Sequence, residues 1–175
     1  GRHARIIRFH GRSENPDGQP LIVTEFAQHG SLDTLLERLD NAGSSMHLQI
    51  TLEVLRQTSE GMAEIAAQGF VHRDLATRNL LVTRLEEQAN GSITSIDIKI
   101  ADLGLARGQA VYYGGQGGAL PVRWMPPEAL RRNRFSEKSD VFAFGVLAWE
   151  LLTGGDMPWT FGVADEQISE RVIRG

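Results

Sequence analysis

Three short clusters carry the residues able to do chemistry. They are His72-Arg-Asp-Leu-Ala-Thr-Arg-Asn79, then Asp102-Leu-Gly104, then Pro121-Val-Arg-Trp-Met-Pro-Pro-Glu128. Moving a γ-phosphoryl group asks little covalent chemistry of a protein. It needs hard oxygen ligands for a divalent cation, a carboxylate beside the attacking hydroxyl, and cations facing the phosphate. Asp74 suits the carboxylate, Asn79 and Asp102 the oxygen ligands, and Arg73 and Arg78 the cations. Taken singly, each aspartate reads equally well as a cap or turn residue; the ordered set is what points to phosphoryl transfer. The run Gly114-Gly-Gln-Gly-Gly118 does not extend this set. Leu120 breaks the G-x-G-x-x-G pattern of a phosphate loop, and flexibility explains the glycines better.

These residues need elements to hold them. Val141-Phe-Ala-Phe-Gly-Val-Leu-Ala-Trp149 is the longest apolar run, continued by Leu151 and Leu152. It falls short of the ~20 residues a membrane span requires, so a helix apolar on every side is expected to be buried in the protein interior and to organise the core. Ser136 or Ser139 caps its start and Gly154-Gly155 its end. Leu48, Leu52, Leu55, Met62 and Ile65/Ala66 recur at helical spacing up to a stop at Gly69, and a shorter helix runs from Gly30 through Leu39. Ile6–Phe9 and Leu21–Val23 read as strands around the turn Asn15-Pro-Asp-Gly18. Strict alternation over Ile96-Asp-Ile-Lys-Ile100 marks a half-buried strand leading to Asp102. Leu80–Val82 reads as a strand, and the polar stretch Thr83–Ser95 as a long solvated hairpin loop. The three tryptophans read as packing residues and Arg131–Arg134 as a solvated surface. The fold class is α+β, mostly helical with small β-hairpins.

Composition narrows the alternatives. The 175 residues carry 18 Lys+Arg against 22 Asp+Glu, a net charge of −4, with 41% apolar and 23% charged residues. These are ordinary globular values and give no support to a nucleic-acid or polybasic membrane partner. The absence of Cys excludes disulfides, thiolate metal sites and Cys nucleophiles. No basic-then-apolar signal segment opens the chain. Of the basic residues only Lys99 and Lys138 are lysines.

The three clusters, in this order and followed by Ser139-Asp-Val141, resemble the H-R-D-L-x-x-x-N, D-F-G and A-P-E signatures of eukaryotic protein kinases, specifically the tyrosine-kinase type. The resemblance implies a protein-kinase-like fold with ATP and Mg²⁺ (or Mn²⁺) as cofactors. Residues 1–26 would be the last small-lobe strands and the start of the hinge, and 27–175 an incomplete large lobe, the small lobe being largely absent. Asp74 resembles the catalytic base, Arg78 the arginine four residues after it that marks tyrosine kinases, and Asn79 and Asp102 the metal ligands. Thr24 resembles the gatekeeper; Glu25 and Ala27 would bond the adenine through their backbone, with Leu81 beneath its ring. His72, Arg73, Gly104, Glu128 and Asp140 resemble structural or regulatory positions. Tyr112 and Tyr113 would be activation-loop phosphorylation sites, with Arg73 and Arg107 as phosphate partners.

Ala76, where Ser/Thr kinases carry Lys, and the run Leu120-Pro-Val-Arg-Trp124 favour tyrosine as the acceptor. The partner implied is a protein presenting Tyr, met in the cytosol, with no nucleic acid and no membrane contact from this segment. Three positions depart from the pattern: Leu103 for Phe, Pro126 for Ala and Phe142 for Trp. None removes a catalytic group. A Gly-rich loop and an ATP-clamping Lys would precede Ile6, and no Lys occurs before Lys99. The segment alone is therefore expected to be inactive, to bind ATP poorly and to expose apolar surface. A scaffold without activity, or a Ser/Thr or dual-specificity kinase, stays open as an alternative.

Overall fold

The computed structural model describes residues 3–103, the backbone of 111–113, and residues 121–159 and 162–175. β1 (Phe9–Glu14) pairs antiparallel with β2 (Pro20–Thr24). α1 (Leu32–Asn41) and α2 (Leu48–Ala67) follow. A 3-10 turn at Thr77–Asn79 leads into β3 (Leu80–Glu87), antiparallel to β4 (Ile93–Ile100). β5 (Val111–Tyr113) pairs with β6 (Arg134–Ser136) around a second 3-10 turn (Val122–Trp124) and α3 (Pro127–Arg132). α4 (Glu137–Thr153) and α5 (Asp165–Arg174) complete the described elements.

α1 turns Leu32, Leu35, Leu36 and Leu39 inward at helical spacing, next to the Thr77–Asn79 turn and β3, into one core with the buried alternate residues Ile96, Ile98 and Ile100 of β4 and Leu147 and Leu151 of α4. The outer edge of β4 does not face water unpaired. The Gln57 amide of α2 donates to the Ile96 carbonyl and accepts from the Ile98 N–H, both at 2.8 Å. Beyond it, Ile100 donates to Arg5 O and accepts from Ile7 N. The approach is close: a Cβ on Gly61 would lie 2.6 Å from Ile100 Cδ1 and 2.9 Å from Arg5 O. β4, which leads directly to Asp102, is thus fixed on both edges.

Four expectations need correction. The first strand starts at Phe9, and Ile6 makes only an isolated parallel bridge to Ile100. The stretch 83–95 is largely strand, because Leu85 and Ile93 carry the apolar face onward past the polar residues; only 88–92 turns. α2 buries Thr51, Val54, Gln57, Thr58, Gly61 and Ile65, while Leu48 and Leu52 are exposed. Val54 and Ile65 pack with Gln57, Thr58 and Gly61 on this face, and Leu55 and Met62 lie partly buried at its border; at Gly61 the approach of β4 leaves no room for a side chain. Finally, α4 is two-faced. Ala143, Leu147 and Leu151 are buried, but Val141 is 63% and Leu152 64% exposed, since among the described residues nothing packs on that side. Trp149 and Trp159 share this exposure; only Trp124 is buried. No helix among the described residues is long and apolar enough to cross a membrane.

Candidate active site

α2 ends where Gly69 takes φ 74°, which sends the chain back beneath the N-terminal part of α4. There the Asp140 carboxylate accepts the His72 N–H at 2.8 Å and the Arg73 N–H at 2.9 Å. Two successive amides can face one carboxylate because Arg73 is left-handed, φ 74°, a conformation costly for a side-chain-bearing residue and kept only where the surroundings enforce it. The Arg73 guanidinium lies 4.7 Å from the centroid of the Phe135 ring. Burial pushes the Asp140 carboxyl up, against the pull of those two amides.

His72 is wholly buried, and burial pushes its imidazole below the usual range, toward the neutral form. Its Nδ1 accepts the Asp74 N–H at 3.2 Å, which leaves Nε2–H to donate to the Ala101 carbonyl at 3.1 Å. This ring joins the loop at Asp74 to the end of β4 at Asp102. A second tie runs beside it, Ala101 N–H to Asn79 O at 2.8 Å. Asp102 is itself left-handed at φ 56°, and both Asp74 and Asp102 act on the His72 ring electrostatically.

Asp74 and Asn79 are thus in direct contact, and the backbone just before Asp102 is tied to them through Ala101. The Asn79 amide nitrogen donates to Asp74 Oδ2 at 2.9 Å and to the Asp74 carbonyl at 2.7 Å, which turns its Oδ1 into the group left for a ligand. Arg78 pairs with Asp74 Oδ1. The donors on offer are hard oxygens, the chemistry that Mg²⁺ and Mn²⁺ take. No group of three or more His, Cys, Asp or Glu among the described residues could hold a metal alone. A cation here would complete its shell with phosphate oxygens and water.

Toward the second 3-10 turn, Arg78 lies over the Trp124 ring, 4.2 Å from its centroid. Trp124 Nε1–H donates to Glu150 Oε2 at 2.8 Å, and Thr77 Oγ1–H donates to Glu150 Oε1 at 2.8 Å. Glu150 is 5% exposed, and burial pushes its carboxyl up. One carboxylate thus ties the platform Pro121–Trp124 to the loop of Asp74. Sequence reasoning passed over Glu150 and Thr77, although a single charge inside the apolar run of α4 was the available signal.

On the opposite side Thr24 closes β2, exposed, with Glu25 and Ala27 half-buried beyond it. Glu25 N–H donates to Arg8 O, and Ala27 O accepts Gly30 N–H. This leaves the Glu25 carbonyl and the Ala27 N–H without a backbone partner among the described residues. Residues 29–31 run along β3, through a Ser31–Leu81 bridge and Val82 N–H to Gly30 O, which brings Leu81 near this segment. A cavity of about 800 Å³ has Glu25, Lys99, Arg8 and Leu103 among its walls but not Thr24, Ala27, Leu81, Asp74 or Asn79. It is distinct from the cluster above.

Glu128 is half-buried in the first turn of α3. Tyr112 and Tyr113 pair through their backbone with Phe135 and Arg134; their side chains, with Gly104 and Arg107, lie outside the described residues.

The chain belongs to the protein tyrosine and serine/threonine kinase family, whose model matches residues 1–175. It is similar to the NT-3 growth factor receptor of Macaca fascicularis, 35% identical over 189 residues that cover 99% of this chain and 21% of the receptor. Tyrosine-protein kinase FRK of Homo sapiens is 36% identical over 179 residues, 99% of this chain and 32% of that protein. The BDNF/NT-3 growth factors receptor of Gallus gallus is 34% identical over 186 residues, 99% and 21%. The chain spans about a fifth to a third of the length of these relatives.

Proposed function

We propose that the full-length protein transfers the γ-phosphoryl group of ATP to tyrosine hydroxyls of a protein substrate, and that this chain supplies its base, metal ligands and acceptor platform. The observation that carries the reading is the Asp74 carboxylate, held by Asn79 on one oxygen and Arg78 on the other, with the Asp102 turn joined to it through His72. The substrate phenol donates its proton to Asp74 as its oxygen bonds the γ-phosphorus. The bond from that phosphorus to the β–γ bridging oxygen breaks, and ADP leaves with the electron pair. Asn79 and Asp102 would hold the divalent cation, which when bound neutralises charge on the phosphates. Thr24, Glu25, Ala27 and Leu81 would receive the adenine.

Tyrosine is favoured by the platform. Trp124 is fixed by Glu150 and covered by Arg78, which gives a flat, rigid shelf beside the base. Two relatives of similar sequence are receptors for growth factors and one is called a tyrosine-protein kinase. In this reading residues 1–26 belong to a small lobe and 27–175 to a large one. The domain works in the cytosol, and phosphate on Tyr112 or Tyr113 orders the loop against Arg73, which already lies on the Phe135 ring paired with Tyr112.

The test is a kinase assay of the full-length protein on a tyrosine peptide. Asp74→Asn should lower kcat by at least about 10²-fold with the fold intact, as loss of a positioned base does. Phosphoamino-acid analysis should return phosphotyrosine. Full activity in the Asn variant would remove Asp74 from its role, and phosphoserine as the product would move the protein to the other acceptor class.

A further inference from the structure

Trp124 is held from α4 by Glu150, while its neighbour Arg123 reaches toward α5, which packs against the Val122–Trp124 turn. The Arg123 guanidinium donates to three groups that follow α4 in the chain. Nη1 donates to the Pro158 carbonyl at 2.9 Å, Nη2 to the Val163 carbonyl at 2.8 Å, and Nε to Asp165 Oδ1 at 3.1 Å in the first turn of α5. One bond runs the other way: Trp159 Nε1–H donates to the Arg123 carbonyl at 3.1 Å. The Arg123 side chain is 16% exposed and that of Asp165 52%, so water screens the ion pair and the two carbonyl bonds carry more of this clasp.

Trp159 gives the second, independent observation. It is left-handed, φ 66°, a conformation that costs a bulky residue free energy and persists only where its surroundings impose it. Its side chain is nevertheless exposed, so burial of the indole does not account for the strain. The bond to the Arg123 carbonyl fixes the ring at the edge of the platform, and Met157, two residues earlier, is exposed as well. Backbone strain, an exposed aromatic ring and a nearly buried guanidinium thus meet beside Trp124. We propose that Arg123 and Trp159 are positioning residues for the acceptor: their clasp fixes Met157–Trp159 and the start of α5 as an outer wall of the platform, against which the peptide residues flanking the tyrosine lie, and so sets how tightly a protein substrate binds. The proposal rests on the acceptor reading above and adds to it two residues outside the set of base and metal ligands.

The experiment measures steady-state kinetics of the full-length protein on two tyrosine peptides, a long one and one cut to the tyrosine and its immediate neighbours. Arg123→Lys keeps the charge but loses the planar fork that reaches three acceptors at once, and Trp159→Phe keeps a ring but loses the N–H. Arg123→Lys should raise KM for the long peptide by about tenfold and Trp159→Phe by about threefold, the scale of hydrogen bonds to a charged and to a neutral group. KM for ATP should stay within about twofold of wild type in both, which separates this effect from general damage to the domain. On the short peptide both variants should match wild type within about twofold, because it does not reach the wall. Circular dichroism and thermal unfolding establish that each variant is folded; if Arg123→Lys does not fold, Trp159→Phe decides. Wild-type KM for the long peptide in the folded variants, or an equal penalty on the short one, overturns the proposal. Failure of the wild-type protein to phosphorylate either tyrosine peptide overturns the acceptor reading instead.

Discussion

The loop of Asp74 and the segment around Glu25 are held by opposite means. The loop is anchored from below by buried carboxylates of α4, Asp140 at 68 residues' separation and Glu150 at 73, each accepting hydrogen bonds in a site closed to water. The segment hangs from the β1–β2 hairpin, whose turn is local. Asn15 Oδ1 accepts the Asp17 and Gln19 N–H groups at 3.0 and 2.8 Å, and Leu21, Ile22 and Val23 are all exposed. Its long-range side-chain tie to the site is the Lys99 pair. Where hydrogen bonds are buried, removal of one partner strands the other at full desolvation cost; where they are exposed, water replaces it.

That contrast can be broken hardest at Asp140. Asp140→Ala leaves the His72 and Arg73 amides without their acceptor and should lower the unfolding free energy by about 2–5 kcal/mol, read by urea denaturation. Activity should fall with it, since the left-handed turn at Arg73 loses the acceptor of its N–H. A loss under 1 kcal/mol would mean the loop is held chiefly by its other contacts.

Glu150 sharpens the comparison at lower cost. Glu150→Gln retains an acceptor for Trp124 but weakens the double tie to Thr77, and a loss of about 1–2 kcal/mol is expected. The variant also has a pH signature. The Glu150 carboxyl is raised above its ordinary value of 4.5 by burial, so the folded state binds more protons there than the unfolded state. Its contribution to stability is full below 4.5 and declines as pH rises through the folded value. The Gln variant should lack that decline, which unfolding curves between pH 4 and about 8 would reveal.

The smallest effect belongs to the hairpin. Ile22 is 70% exposed, so Ile22→Ser should change stability by less than about 0.5 kcal/mol. A larger loss in the full-length protein, compared with this segment alone, would show that another element covers β2 there.

Much of this was legible from residue order. The alternation of β4, the stop at Gly69, the turn at Asn15–Gly18 and the end of α4 at Gly154 each depend on neighbours two to four residues away, and local chemistry decides them. The clusters around Asp74, Asp102 and Trp124 were visible for the same reason: the chemistry needs those side chains whatever surrounds them. The face of α2 was only partly legible: Ile65, Leu55 and Met62 do pack on the core, but Leu48 and Leu52 share their spacing and are exposed, whereas Gln57 and Gly61 face β4. The two faces of α4 were hidden too, as an unbroken apolar run carries no period from which to read a direction.

Sequence by itself determined which groups are present and how far apart they lie along the chain, because residue type and local backbone preference are properties of short segments. Tertiary structure alone decided that Glu150 reaches Trp124 and Thr77 and that Lys99 reaches Glu25; the reach of Asp140 to the loop was implied by the family resemblance and not by the spacing of its residues. Those contacts join residues many turns apart, and nothing in a linear order encodes which distant partner will satisfy a buried charge.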